Sequence, residues 1–409
     1  MSITPSNRFP SSLGHISKGY YTCPSCGSLD PVIFYEQEAI PIDSCRLLSN
    51  SVEAKGFPRG SLRLGFCKTC AFIWNTGFDP LVQDCSASYE ETQEFSPRFQ
   101  EFTRKIARHL IKKYQLYGKS ILEIGCGQGE FLELMCQLGD NCGVGIDQNF
   151  VERQTGSEAN QRITFIRDYF SERYGYMIGN FVICRHMLEH TQPVRDFLAV
   201  LRRSLGDRSD ATVFFEVPDM KNILRGGAFW DIYYEHCSYF TCGSLARLLR
   251  SVGFEVLDLV LDFDDRYILL ECRSSSTINH APFELEETPA EAVQAVEKFQ
   301  SNFREKLAEW RKILEPIRNK KKRAVLWGSG SKGAAFLNAL EIGDEIEYIV
   351  NINPHQQGRY VVGTGQQIVP PEFLQEYKPD LIVSLNQTYL REITQRVEAM
   401  GVVADILAV

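Results

Sequence analysis

The sequence predicts an α/β protein: a doubly wound parallel sheet preceded by a small metal-binding domain and followed by a second α/β unit. Three observations predict it. Two Cys-x-x-Cys pairs, Cys23 with Cys26 and Cys67 with Cys70, stand near the start of the chain. An apolar strand from Ile121 runs into a turn at Gly125, Gly127 and Gly129, and an amphipathic segment then leads to a second strand ending at Asp147. A later strand runs into Gly328, Gly330 and Gly333. The expected divisions are a metal-binding domain over 1–80, the central sheet over 81–275, a connector helix over 276–320 and the last domain over 321–409.

The 409 residues are enough for two or three cores, and their net charge of −8 argues against a general nucleic-acid or membrane-surface binder. No apolar run is long enough to span a bilayer, and the opening MSITPSNRFPSSLGH lacks an apolar signal core. Thirteen cysteines, an odd number, read as thiols and metal ligands in a reducing compartment, so the expected setting is cytoplasmic. Nothing in the sequence chooses between monomer and dimer.

The cysteine pairs are each followed by a small residue, Gly27 or Ala71, that lets the backbone curl around an ion. Four thiolates so arranged can close a tetrahedral Zn2+ site. Cys45 lies between the pairs and is the weaker candidate ligand. The segment between them is not basic and does not interleave aromatics with Lys and Arg, so a structural zinc suits it better than a nucleic-acid finger.

From Pro97, apolar residues at Phe99, Phe102, Ile106, Leu110 and Tyr114 predict a helix packed beside the first strand. The polar Tyr89 to Ser96 stretch before it is either a lid or an ordinary capped helix entrance.

At the glycine turn the chain carries an acid, Glu123, and its glycines do not have the Gly-x-Gly-x-x-Gly spacing of a dinucleotide fingerprint. The pattern Glu123-x-Gly125-x-Gly127-x-Gly129 resembles class I S-adenosylmethionine (SAM) methyltransferases. Such a site holds a cationic nucleoside and needs no pyrophosphate cradle. The resemblance assigns SAM contacts to Glu123, Gly125, Cys126, Gly127, Gly129, Asp147 and Gln148, with Asp147 accepting from the ribose hydroxyls. Further strands at Ile163 to Ile166, Asn180 to Cys184 and Val213 to Val217 continue the alternation. Asp168 is then expected at the adenine amino group, and the run from Arg185 through His186 to His190 at the methionine end or the substrate. That run also matches the His-x-x-Glu-His of zinc proteases, but it follows a strand and no third ligand is apparent.

Beyond Pro218 an aromatic stretch brings Tyr233, Glu235 and His236 together, a composition suited to proton abstraction in a dry pocket and equally to aromatic packing around a buried histidine. A helix from Ser244 to Ser251 and strands at Gly253 to Leu261 and Tyr267 to Cys272 are expected to complete the sheet with an antiparallel hairpin.

Zinc knuckles, a SAM domain, Tyr233-x-Glu235-His236 and a glycine-rich last domain together resemble the sugar C-methyltransferases over nearly the whole chain. The resemblance implies methylation of the carbon beside the ketone of a nucleotide-linked 4-keto-deoxysugar. His236 would be the base, and Glu235 and Tyr233 would handle oxygens or orient the histidine. One departure concerns the acceptor: many members carry Tyr-His-Ser-Ser-x-Ser before the SAM domain, where this chain has Tyr89-Glu-Glu-Thr-Gln-Glu-Phe-Ser96. Two other readings compete, an O- or N-methyltransferase and a catalytically silent zinc-ribbon interaction protein.

Residues 282–316 form a helical stripe of Val293, Val296, Phe299, Phe303, Leu307, Trp310 and Leu314, expected as a packed connector. In the last domain, Gly-x-Gly-x-x-Gly and a strand from Glu345 to Ile352 make a Rossmann-like half. Its second strand ends in Asn351 and Asn353, with no acid to hold a dinucleotide ribose. Lys332 and the amides near Gly330 are placed to meet phosphate, and the turns Gly363-Thr-Gly365 and Ser384 to Gln387 are expected on the same face.

Overall fold

The structure, a computed structural model, describes residues 21–29, 31–81, 93–151, 162–277, 279–319, 322–343 and 345–409. Tyr89 and the first half of the expected lid lie outside the described residues.

The central sheet has the order Phe254–Asp262, Tyr267–Ser274, Thr212–Pro218, Phe181–Arg185, Ser120–Ile124, Cys142–Ile146, Ile163–Ile166. The strands from Thr212–Pro218 to Ile163–Ile166 are parallel, and Tyr267–Ser274 pairs antiparallel with both Thr212–Pro218 and Phe254–Asp262. This is the doubly wound class I methyltransferase sheet. Its strand order reverses between Ser120–Ile124 and Phe181–Arg185, which places the ligand crevice at their carboxyl ends. The helix Pro97–Tyr114 buries Phe99, Phe102, Ile106 and Leu110 against it; Pro97 sits in the first turn and the Ser96 hydroxyl accepts from the Phe99 amide at 3.3 Å.

The last domain is a second sheet in the order Asp405–Ala408, Leu381–Ser384, Ala324–Trp327, Tyr348–Val350, Gln367–Val369, Tyr360–Val361, Leu47–Leu48. The first five strands are parallel, and Tyr360–Val361 pairs antiparallel with both Gln367–Val369 and Leu47–Leu48. The amino-terminal sheet is antiparallel: Val32–Pro41, Arg59–Phe66, Ile73–Asn75 and Ser238–Tyr239.

Two expected divisions are therefore crossed. Leu47–Leu48 leaves the first domain to close the edge of the last, and Ser238–Tyr239 leaves the central domain to close the edge of the first. The connector is shorter than its stripe suggested. It runs Pro289–Ile313 and yields after Leu314 to the short helix Glu315–Arg318, where Pro316 removes an amide. Its buried face spans all three parts. Phe299 and Phe303 meet Tyr35 edge-on at 5.7 and 5.4 Å, Phe303 meets Phe229 at 5.7 Å, and Trp310 meets Phe336 at 5.2 Å. Among the described residues no helix is long and apolar enough to cross a membrane.

Candidate active site

Residues at the carboxyl ends of both parallel sheets line one cavity of about 1030 Å³. That lies at the upper end of the roughly 300 to 1,000 Å³ of single-ligand pockets, so two ligands can share it.

At the first strand end the glycine turn is dictated by space and handedness. Gly125 has φ +72° and Gly129 φ +91°; a Cβ would lie 2.5 Å from Met187 Cγ at the first and 2.4 Å from the Phe165 ring at the second. Above Gly127 the space is open, and its amide donates to Asp147 Oδ2 at 2.9 Å. Asp147 also accepts from the Asn149 amide at 2.7 Å, which leaves each oxygen a lone pair for a ligand hydroxyl, and burial raises its pKa. Cys126 and Gln148 line the same wall. Glu123 is 3 % exposed, burial raises it to about 8, and its Oε2 has no hydrogen-bond partner among the described residues. A buried acid with a spare acceptor, beneath a turn open to a ligand, fits a cationic nucleoside such as SAM. Asp168 also lines the cavity, but its carboxylate is paired with Arg173 and the Tyr174 hydroxyl and accepts from the Tyr169 amide at 2.7 Å.

The strand Phe181–Arg185 ends in a charged knot. Arg185 turns inward over the Phe131 ring and bonds Glu216 at 2.8 and 3.1 Å. His186 takes φ +49°, which turns its ring back so that Nε2 lies 2.7 Å from Glu216 Oε1, with Nδ1 3.5 Å from Glu189 Oε1. Burial opposes its charge, but the two carboxylates win and raise its pKa to about 9. Burial likewise opposes the Glu216 charge, yet Arg185 and His186 hold that carboxyl at about 2.

Across the cavity, His236 is 7 % exposed, with the Tyr233 ring at 4.4 Å and the His190 ring at 4.7 Å. Its nitrogens make no hydrogen bond among the described residues, and burial, then the charges of His190, His186 and Lys332, pull its pKa well below 6.5. His190 is oriented by Nδ1, 3.2 Å from the Glu235 carbonyl oxygen. The Glu235 carboxylate turns away from His236. It accepts from the Ser44 amide at 3.2 Å, the Ser44 hydroxyl and the Ser331 hydroxyl at 3.1 Å, and so ties the first and last domains to the central one.

The four cysteines of the first domain do converge, with all sulfurs within 4.8 Å, Cys23 to Cys70 at 3.7 Å and Cys26 to Cys67 at 3.6 Å. Ligands about 2.3 Å from a tetrahedral zinc lie about 3.8 Å apart, so this set fits that ion. Gly27 and Ala71 curl there with φ +78° and +63°. Cys45 is elsewhere, 3.0 Å from the Ser331 hydroxyl.

Residues 96–259 match the family model described as a methyltransferase domain, and residues 276–403 match the C-methyltransferase C-terminal domain. The C-methyltransferase NovU of Streptomyces niveus is 26% identical over 292 residues, 68% of this chain and 68% of its own. The chain is a SAM-dependent methyltransferase. The ubiquinone biosynthesis O-methyltransferase of Vibrio campbellii is 31% identical over 114 residues, 27% of this chain and 47% of its own. Among solved structures, the magnesium protoporphyrin IX methyltransferase of Synechocystis with bound SAM is 15% identical with a TM-score of 0.32, covering 46% of this chain and 86% of that one.

Sequence reasoning did not foresee how this methyltransferase uses three of its charges. Lys332, expected free for phosphate, is paired with Asp231, which also holds Arg266 at 3.1 Å. Asn351, Gln356, Ser384 and Asn386 line the same end of the cavity. Gly363 and Gly365 do not reach it. They pack instead on Pro41 and on Ser51 and Lys55 of the first domain, because Tyr360–Val361 pairs with Leu47–Leu48 there.

Proposed function

We propose that the enzyme methylates the carbon alpha to the ketone of a nucleotide-linked 4-keto-deoxysugar, with His236 as the base. One observation carries this reading: a buried imidazole whose nitrogens make no hydrogen bond among the described residues, and whose pKa burial holds well below 6.5, lines the cavity shared by the glycine-turn pocket and the polar end of the last domain. The likeness to NovU supports carbon as the acceptor. SAM, held by Glu123, the turn and Asp147, supplies an electrophilic methyl group. A carbon acid is not nucleophilic until deprotonated, which is the work a positioned base does. His236 takes the alpha proton, the C–H pair becomes the enolate, and the enolate carbon forms the new C–C bond as the methyl–sulfur bond breaks. Tyr233 fixes the plane of the imidazole edge-on, and Trp230 helps keep water out. Glu235 acts through Ser44 and Ser331, holding the segment in place. The nucleotide lies toward Lys332, Arg266 and the amides of Asn351 and Gln356. A zinc ion at Cys23, Cys26, Cys67 and Cys70 serves structure alone.

The test is mass spectrometry of a panel of dTDP-4-keto-deoxysugars incubated with enzyme and SAM in deuterated water. Exchange of the alpha proton with gain of a methyl group is expected. Methyl gain on oxygen or nitrogen, or neither change while SAM is bound, overturns the reading.

A further inference from the structure

An imidazole as weak as His236 is a poor base for a carbon acid. Proton transfer to it becomes feasible only if something stabilises the negative charge that appears on the ketone oxygen, since charge stabilisation at the developing oxyanion is usually the largest single catalytic effect. The base itself is depressed partly by nearby positive charge, so a cation already faces the reacting region. Lys332 contributes to that field but is committed to Asp231. Tyr233 lies edge-on to the base.

His186 meets the requirement on geometry. Both ring nitrogens face carboxylates, Glu216 at 2.7 Å and Glu189 at 3.5 Å. A neutral ring would set its lone pair against one of them, so the pair of acids selects the doubly protonated form. The contact to Glu216 is short, whereas the one to Glu189 lies at the outer limit of a hydrogen bond at 3.5 Å, so the Nδ1–H can share its proton with a ligand oxygen while Nε2 stays on Glu216. The side chain is 29% exposed and lines the cavity. Its left-handed backbone, unusual for a residue other than glycine, is what returns the ring to Glu216. Among the described residues, Arg185, whose Nη2 shares Glu216 Oε1 with His186, and the Tyr267 ring edge at 4.7 Å also pack around it. We infer that His186 is a catalytic residue: its Nδ1–H donates to the ketone oxygen and carries the enolate charge while His236 removes the proton. This rests on the C-methylation reading above. No external co-reactant enters, since the C–H electron pair moves to oxygen and the proton to His236.

The test separates enolisation from methyl transfer. Alpha-proton exchange of a dTDP-4-keto-deoxysugar in deuterated water is followed by NMR without SAM, for wild type and His186→Gln, alongside calorimetric binding of S-adenosylhomocysteine. Loss of one oxyanion donor predicts exchange slowed about 100-fold or more with cofactor affinity changed by less than about threefold. Wild-type exchange is also expected to fall above pH 9, a limb absent from the variant, and this limb decides the matter should the variant fold poorly. Exchange within about threefold of wild type, or a wild-type profile flat from pH 8 to 10, overturns the role of His186. A tenfold or greater loss of cofactor affinity with exchange intact instead makes it a cofactor ligand. Absence of exchange in wild type overturns the C-methylation reading and this inference together.

Discussion

His236 and His186 share a cavity and are driven in opposite directions, one by burial among cations, the other by two carboxylates. The base form of His236 is therefore present throughout the neutral range, and the acid limb of turnover should fall below pH 6.5. His236→Ala should lower turnover about 10²- to 10⁴-fold and leave S-adenosylhomocysteine affinity unchanged; unchanged turnover would remove its role as base. The same shifts act on stability with opposite sign. His236 resists a proton that the unfolded chain accepts, so stability falls as pH drops below 6.5. His186 holds a proton that the unfolded chain releases, so its stabilisation is complete below 6.5 and is lost as pH rises through about 9. Thermal midpoints from pH 5 to 10 should show a flatter acid side for His236→Asn and a flatter alkaline side for His186→Gln. Identical profiles for all three proteins would contradict this account of the charges.

At the scale of elements, the glycine turn does its work through both handedness and contact, and the two can be separated. Gly125→Ala places a Cβ 2.5 Å from Met187 Cγ at φ +72°, whereas Gly118→Ala has φ +61° with nothing within 4 Å. Both substitutions strain the backbone, at about 1 kcal/mol or more each. Only the first displaces the wall of the cofactor pocket, so only Gly125→Ala should weaken S-adenosylhomocysteine binding by tenfold or more, about 1.4 kcal/mol. Equal losses from both would assign the effect to stability alone. This turn was legible in the sequence because its spacing states a geometry, and so was the helix Pro97–Tyr114, whose apolar stripe repeats over several turns. Leu47–Leu48 and Ser238–Tyr239 were not, because two residues cannot display a period and their pairing is decided by strands far away in the chain. Tyr233, Glu235 and His236 were legible as a group. That the Glu235 carboxylate leaves His236 for Ser44 was not, since only the long-range fold brings Ser44 there.

For the whole molecule, the exchanged strands mean that the segment bearing His236 is positioned by a domain other than its own. Cys67 follows the strand Arg59–Phe66, and its amide donates to the Phe72 carbonyl oxygen at 2.9 Å, which closes the reverse turn. The next strand, Ile73–Asn75, pairs with Ser238–Tyr239, and Asn75 holds both ends of the segment before it: its amide donates to the Cys237 carbonyl at 3.1 Å and its side chain to the Tyr234 carbonyl at 3.1 Å. His236 thus sits on a stretch pinned by strand pairing from the four-cysteine side, while the glycine turn and Asp147 follow paired strands of the central sheet. A structural zinc at the four cysteines would stabilise the fold around its ligands, and its loss is expected to release that pinning first. Removing the metal with a strong chelator, or Cys67→Ser, should abolish alpha-proton exchange while S-adenosylhomocysteine affinity stays within about threefold, and restoring zinc should recover exchange in the chelated protein. If the metal-free enzyme exchanges at the wild-type rate, the first domain does not position the base. If exchange and cofactor binding are lost together, the three parts fold as one unit and the pinning is not local to His236.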